Sequence, residues 1–172
     1  MRKAYISIHD PATAQAAVAA GVGATIDVSL GGTFVTVAGP PIKTKAYVKS
    51  ISDGKETVRG GAGFGGPFEF GPTVRLVIDA VNKVDVIVLS GLCQTCDDTQ
   101  GRPHGVILQE YDVIGCKSGM HFEAFFENFT DNDKLLIVDC PGVTNCDLSI
   151  LKPTKLTYPV YPLDLNATFS LK

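Results

Sequence analysis

Residues 112–141, DVIGCKSGMHFEAFFENFTDNDKLLIVDCP, carry in one unbroken run the elements from which a fold can be read. Asp112 to Lys117 reads as a short buried strand. Ser118 stands where a helix N-cap belongs, its hydroxyl able to accept a free backbone N–H. Phe122, Phe125, Phe126 and Phe129 recur at helical spacing and predict an amphipathic helix with Glu123, Glu127 and Asn128 on its outer side. Leu135 to Val138 reads as a second buried strand, ended by the turn Asp139-Cys-Pro-Gly142. Strand, helix and strand in succession predict a right-handed parallel crossover. Lys117 and His121 then fall at the strand-to-helix corner, where side chains can meet a ligand.

Upstream of this unit, Val84 to Ser90 is almost wholly apolar, which predicts burial on both faces. Thr73 to Asp79 pairs with it around Asn82-Lys83. In Ile42 to Ser52, Lys43, Lys45 and Lys49 alternate with Thr44, Ala46 and Val48, as on a solvated face or a protected sheet edge. Ala24 to Leu30 alternates like a half-buried strand, and Gly31-Gly32 leads into Phe34 to Val37 as its hairpin partner. Ala4 to Ile8 is a first short strand. Asp10 caps a helix with Pro11 at its first position, and Gly21 stops it. Pro103 to Gln109 predicts a short helix. The run Gly60 to Pro67 lacks the Lys-Ser/Thr and the helix that a phosphate-binding loop needs, so it reads as a plain loop. The expectation is an α+β domain: a mixed, largely antiparallel sheet, two or three helices and one central strand-helix-strand unit.

The 172 residues, 45% hydrophobic and 19% charged, suffice for the core of one domain. A net charge of -3, with both signs interspersed, offers no basic stripe for nucleic acid and no polybasic run for an anionic membrane. No apolar run approaches the roughly 20 residues of a membrane span, and the N-terminal run is too short for a signal peptide. A cytoplasmic protein is expected. The five cysteines form no dense disulfide framework.

Cys93-x-x-Cys96 has metal-like spacing, with His104 nearby, and reads as half of a zinc site, a redox pair or ordinary loop cysteines. Lys117 offers a cation for a substrate carboxylate, and His121 a group that exchanges protons near neutral pH. Asp139 and Asp147, eight apart across a Pro-Gly turn, could act as acid and base or bind a hard cation, but capping the turn explains them more simply. No nucleophile motif is present, so no catalytic residue is assigned.

Lys117-Ser118, His121-Phe122, Ala124, Phe126, Asp139, Pro141-Gly-Val143 and Asp147-Leu148 together resemble the C-terminal domain of the MlrC family of metal-dependent hydrolases, named for a microcystin-degrading peptidase. The resemblance extends through Asp10-Pro11, Gly21-Val-Gly23, Gly31-Gly32, Ser52-Asp-Gly54, Gly71-Pro-Thr73 and Tyr161-Pro-Leu-Asp164. It implies that residues 1–172 form a single accessory domain of a zinc-dependent peptide or amide hydrolase. Zinc would lie in a metal-bearing N-terminal domain of the same or an adjacent polypeptide, with no cofactor in this domain, which would be inactive when isolated. Gln94 and Asp97, at the exit of a buried strand, match a Gln and an Asp common in related sequences. With Lys117 and His121 they become the expected contacts to a peptide-like substrate. Glu123 stands where the family commonly has Arg, and the Tyr161 to Asp164 stretch lacks its usual Arg-Pro and Trp. These departures motivate the alternative of a free-standing binding module. Homo-oligomerisation is left open.

Overall fold

The computed structural model describes residues 3–34, 39–60, 65–79, 83–138, 140, 155–157, 159–168 and 170. Its elements run β1 (Ala4–His9), α1 (Pro11–Ala20), β2 (Thr25–Leu30), β3 (Ile42–Ser52), β4 (Lys55–Thr57), β5 (Pro67–Glu69), β6 (Thr73–Asp79), β7 (Val84–Leu89), β8 (Val113–Gly115) and α2 (Glu123–Phe126), with three short 3-10 turns. Six strands form one sheet in the order β2-β3-β6-β7-β1-β8. The pairs from β2 to β7 are antiparallel, while β1 runs parallel to both β7 and β8. The expected α+β class, with a largely antiparallel sheet, is the class observed.

Strand β7 decides the layering. Val86 and Val88 pack on one face with Ala14, Ala17, Val28, Val48 and Leu76. Ile87 and Leu89 pack on the other with Tyr5, Phe70, Leu108, Phe122 and Phe126. Four consecutive buried aliphatics, each worth about 1.5–3 kcal/mol of transfer free energy, need cover on both sides, and α1 supplies one of them. Alanines on its inner face let α1 lie close to the sheet. Asp10 starts the helix by accepting from Thr13 N at 3.1 Å and Thr13 Oγ1 at 3.0 Å, and it also takes Gly31 N at 3.0 Å. The cap therefore fixes the turn after β2 as well.

On the opposite face, Arg75 holds Asp85 through two hydrogen bonds, Nε to Oδ1 at 3.1 Å and Nη2 to Oδ2 at 3.0 Å. Tyr111 donates to Asp85 Oδ2 at 2.6 Å, and Arg75 Nη1 donates to the His104 carbonyl at 2.8 Å. Burial and the neighbouring Asp85 push the Tyr111 hydroxyl well above its ordinary pKa. This network ties β6 and β7 to the segment that precedes β8.

Several local expectations change. The aromatic helix is only α2, and Ser118 does not cap it because its oxygen accepts from Gln94 instead. Gly119 in the first expected turn weakens helix there by about 1 kcal/mol. Leu135 to Val138 forms no strand; it is irregular and exposed. Among the described residues the sheet ends at the three-residue strand β8. The parallel relation predicted for that unit arises instead where β1 inserts between β7 and β8.

The expected hairpin partner, Phe34 to Val37, falls mostly outside the described residues; β2 pairs with β3, Val28 and Leu30 sharing a core face with Ala46 and Val48. Residues 35–38 lie outside the described set, as do Asp139, Pro141 and Asp147. β3 is an interior strand, so its alternating lysines mark a solvated face. Pro103 to Gln109 holds two 3-10 turns, Arg102–His104 and Leu108–Glu110. β4 and β5 form a separate two-stranded ribbon, and residues 61–64 of the glycine-rich run lie outside the described set.

Candidate functional site

The three parallel strands all point their C-terminal ends the same way, so His9, the loop after Leu89 and the segment after Gly115 emerge at one end of the sheet. That end is where open sheets with parallel strands present ligand-binding loops. It carries both the Gln94 loop and the Lys117 to His121 corner.

The structure brings two of the predicted residues into contact. His121 Nδ1 lies 3.2 Å from Gln94 Oε1, and Gln94 Nε2 donates to Ser118 Oγ at 2.7 Å. The loop beneath them is anchored from inside. Ser7 on β1 meets the Thr95 hydroxyl at 2.8 Å, which donates to Gln100 Oε1 at 3.1 Å, and Gln100 Nε2 donates back to the Gln94 carbonyl at 3.3 Å. Ser7, Thr95 and Gln100 are all buried. Such satisfied buried networks fix one loop geometry.

Asp97 has a different task. Its Oδ2 accepts from Arg59 N at 2.7 Å, Gly60 N at 2.8 Å and Thr99 Oγ1 at 2.8 Å, while Oδ1 accepts from Thr99 N at 2.9 Å. A buried carboxylate holding four donors from its own chain is an anchor for the ribbon, with little left for a ligand. Gly60 is wedged between Phe125 and Asp97, so that a Cβ there would lie 2.9 Å from the Phe125 ring. The ribbon, the loop after β7 and α2 thereby meet in one place. Lys117 is exposed at the end of β8.

His104 is held by a different strand. It is buried against β3, with Nδ1 2.7 Å from Ser50 Oγ and Nε2 3.1 Å from Ser52 Oγ. Burial, reinforced by Arg75, pushes its pKa down to about 4, so the ring is neutral. Both ring nitrogens are taken, and neither is offered to Cys93 or Cys96. Cys93 Sγ donates to the Gln94 carbonyl at 3.1 Å, and Cys116 Sγ to the Thr95 carbonyl at 3.4 Å. Burial raises all three thiols, Cys116 to about 12, which holds them protonated and weakly nucleophilic. Among the described residues no group of three or more His, Cys, Asp or Glu is arranged to hold a metal ion.

Sequence reasoning missed His9, which stacks on Phe34 with ring centroids 5.0 Å apart and places Nε2 3.3 Å from the Ser90 carbonyl. It missed Ser7 too, although the alternation Tyr5-Ile-Ser-Ile8 already placed a polar group on the Tyr5 side of a core strand. Leu92, Met120 and Phe34 leave large apolar side chains 82%, 70% and 65% exposed in these same segments. No described helix is long and apolar enough to cross a membrane.

The family described as "MlrC C-terminus" matches residues 1–155. Among solved structures, the chain is similar to one from Mesorhizobium sp. BNC1 named "Putative metallopeptidase", with a TM-score of 0.79 and 24% identity. That likeness establishes a shared fold. It covers 98% of this chain but 32% of the other, so the chain spans about a third of the protein it matches. No curated protein matches the chain.

Proposed function

The chain belongs to the MlrC C-terminus family, and from that premise we propose that it is the accessory domain of a zinc-dependent peptide or amide hydrolase, packing on a metal-bearing domain and forming one wall of the substrate cleft. The hydrogen-bonded pair of Gln94 and His121, at the C-terminal ends of three parallel strands, is the observation that carries this reading. A carboxamide and an imidazole suit contact with an amide substrate, and Lys117 supplies a cation for a carboxylate. Exposed Leu92 and Met120, in the segments that hold the pair, suit burial against a partner domain.

Among the described residues, the candidate ligands do not fit a zinc centre. His104 has both nitrogens engaged, Asp97 is saturated by backbone and hydroxyl donors, and the cysteines are protonated. The metal and its ligands belong to the partner in this reading, and no catalytic step is assigned to the present residues.

Peptide hydrolysis by this chain, by a zinc-loaded MlrC-type N-terminal domain and by their mixture tests the proposal. Turnover is expected only in the mixture, and it should fall at least tenfold with His121→Ala. Hydrolysis by the purified chain unaided overturns it.

A further inference from the structure

We propose that Gln94 is a positioning residue that holds His121 in its Nδ1–H tautomer, leaving Nε2 as a bare acceptor for an N–H group of a peptide-like ligand. The inference rests on the functional reading above for the nature of the ligand, but its geometry is the chain's own.

Gln94 Nε2 is the atom that meets Ser118, donating to its Oγ at 2.7 Å. The Oε1 atom is then the one 3.2 Å from His121 Nδ1. A carbonyl oxygen can only accept, so Nδ1 must carry the proton. A neutral imidazole has one ring proton, and Nε2 is therefore left with its lone pair. His121 is exposed, so this lone pair is open to a ligand. The buried His104 differs, since it spends both nitrogens on Ser50 and Ser52.

The pair is also held in place. The Gln94 carbonyl accepts from Cys93 Sγ and Gln100 Nε2, and Gln100 connects through Thr95 to Ser7 inside β1. The imidazole is thus oriented from a core strand, although it sits on the surface. Such support from behind is what fixes the tautomer of a working histidine. Lys117, four positions before His121, supplies a cation nearby in sequence. An amide N–H for Nε2 and a carboxylate for Lys117 describe a peptide-like ligand.

Heteronuclear NMR of isotope-labelled imidazoles, recorded at alkaline pH where histidine is neutral, tests the tautomer directly. The chain has three histidines, and His121→Gln assigns the relevant signal by its loss. The expected result is the Nδ1–H pattern for His121. Gln94→Leu should shift it toward Nε2–H, whereas Gln94→Glu, which still accepts at Nδ1, should retain Nδ1–H. An Nε2–H pattern in the unmodified chain, or a Gln94→Leu variant that leaves Nδ1–H unchanged, overturns the proposal. The spectra are indifferent to any partner domain, so failure here leaves the hydrolase reading standing, and failure of complementation leaves this result standing.

Discussion

Asp97 accepts the Gly60 amide at 2.8 Å, so one carboxylate joins the loop after β7 to the root of the glycine-rich ribbon. This contact turns a residue that resembles a site group into a structural one. Asp97→Ala leaves the amides of Arg59, Gly60 and Thr99 without their acceptor. A loss on the order of 3 kcal/mol is expected in urea denaturation, given about 1–3 kcal/mol per buried orphaned group and partial rescue by water. Lys117→Ala, on the exposed side of the same site, should change stability by less than about 0.5 kcal/mol.

The half-buried Arg75 and the buried Asp85 form a pair whose halves are unequal when separated. Arg75→Leu leaves Asp85 and Tyr111 facing each other without a cation and should destabilise by about 3–5 kcal/mol. The double variant Arg75→Leu with Asp85→Leu should recover much of that loss. A double-mutant cycle read by chemical denaturation measures the coupling.

His104 gives stability a defined pH dependence. Its folded pKa, about 4, lies below the ordinary value near 6.5, so the unfolded chain takes up the proton first as pH falls. The contribution is complete above about pH 6.5 and is lost as pH falls toward 4, with a total on the order of 2–3 kcal/mol. His104→Gln should flatten that part of the stability profile. Parallel urea titrations of both proteins across the window isolate the difference from the background of carboxylates.

Gly54 lies at φ 73° with no room for a side chain, because a Cβ there would lie 1.9 Å from the Gly71 carbonyl oxygen. Gly54→Ala should therefore cost more than the roughly 1 kcal/mol of conformational strain alone. Thermal denaturation should show a fall of several degrees or more.

If the exposed side chains beside the site are partner contacts, their loss should be felt only in assembly. Leu92→Ser and Met120→Ser should leave the unfolding midpoint of the chain unchanged and weaken its binding to an MlrC-type metal-bearing domain by about tenfold or more, as isothermal titration would show.

The parts of the fold readable from sequence were those determined by neighbours in the chain. Asp10-Pro11 and Gly21 bounded α1 because capping and chain reversal are local physics. The almost wholly apolar Val84 to Leu89 run announced two-sided burial because no other strand environment tolerates it. Pairings decided by distant surfaces were not readable. β2 chose β3 because their apolar faces continue one core, a fact held by Val28 and Ala46 jointly. Of the expected site residues, Gln94 and His121 proved to be neighbours. Asp97 and His104 are polar groups of the same types, yet each is consumed by partners far away in sequence. Ser50 and Ser52, alternating on one face of β3, were the available hint that His104 would be held from both sides. Ser118 was read as a cap because a serine before an aromatic stripe satisfies that rule equally well.

The place of β1 bears on how the molecule is made. Ala4 pairs with Val84 on one side and Val113 on the other, so this strand leaves the ribosome about eighty residues before its first sheet neighbour exists. Until then Tyr5, Ile6 and Ile8 have no sheet to enter. Closing loops of that length is slow. The antiparallel half, built from strands closer in sequence, has every opportunity to form first, with β1 drawn in as the last long-range step. The end of the sheet that carries Gln94 and His121 would then be completed late, as a consequence of chain order alone.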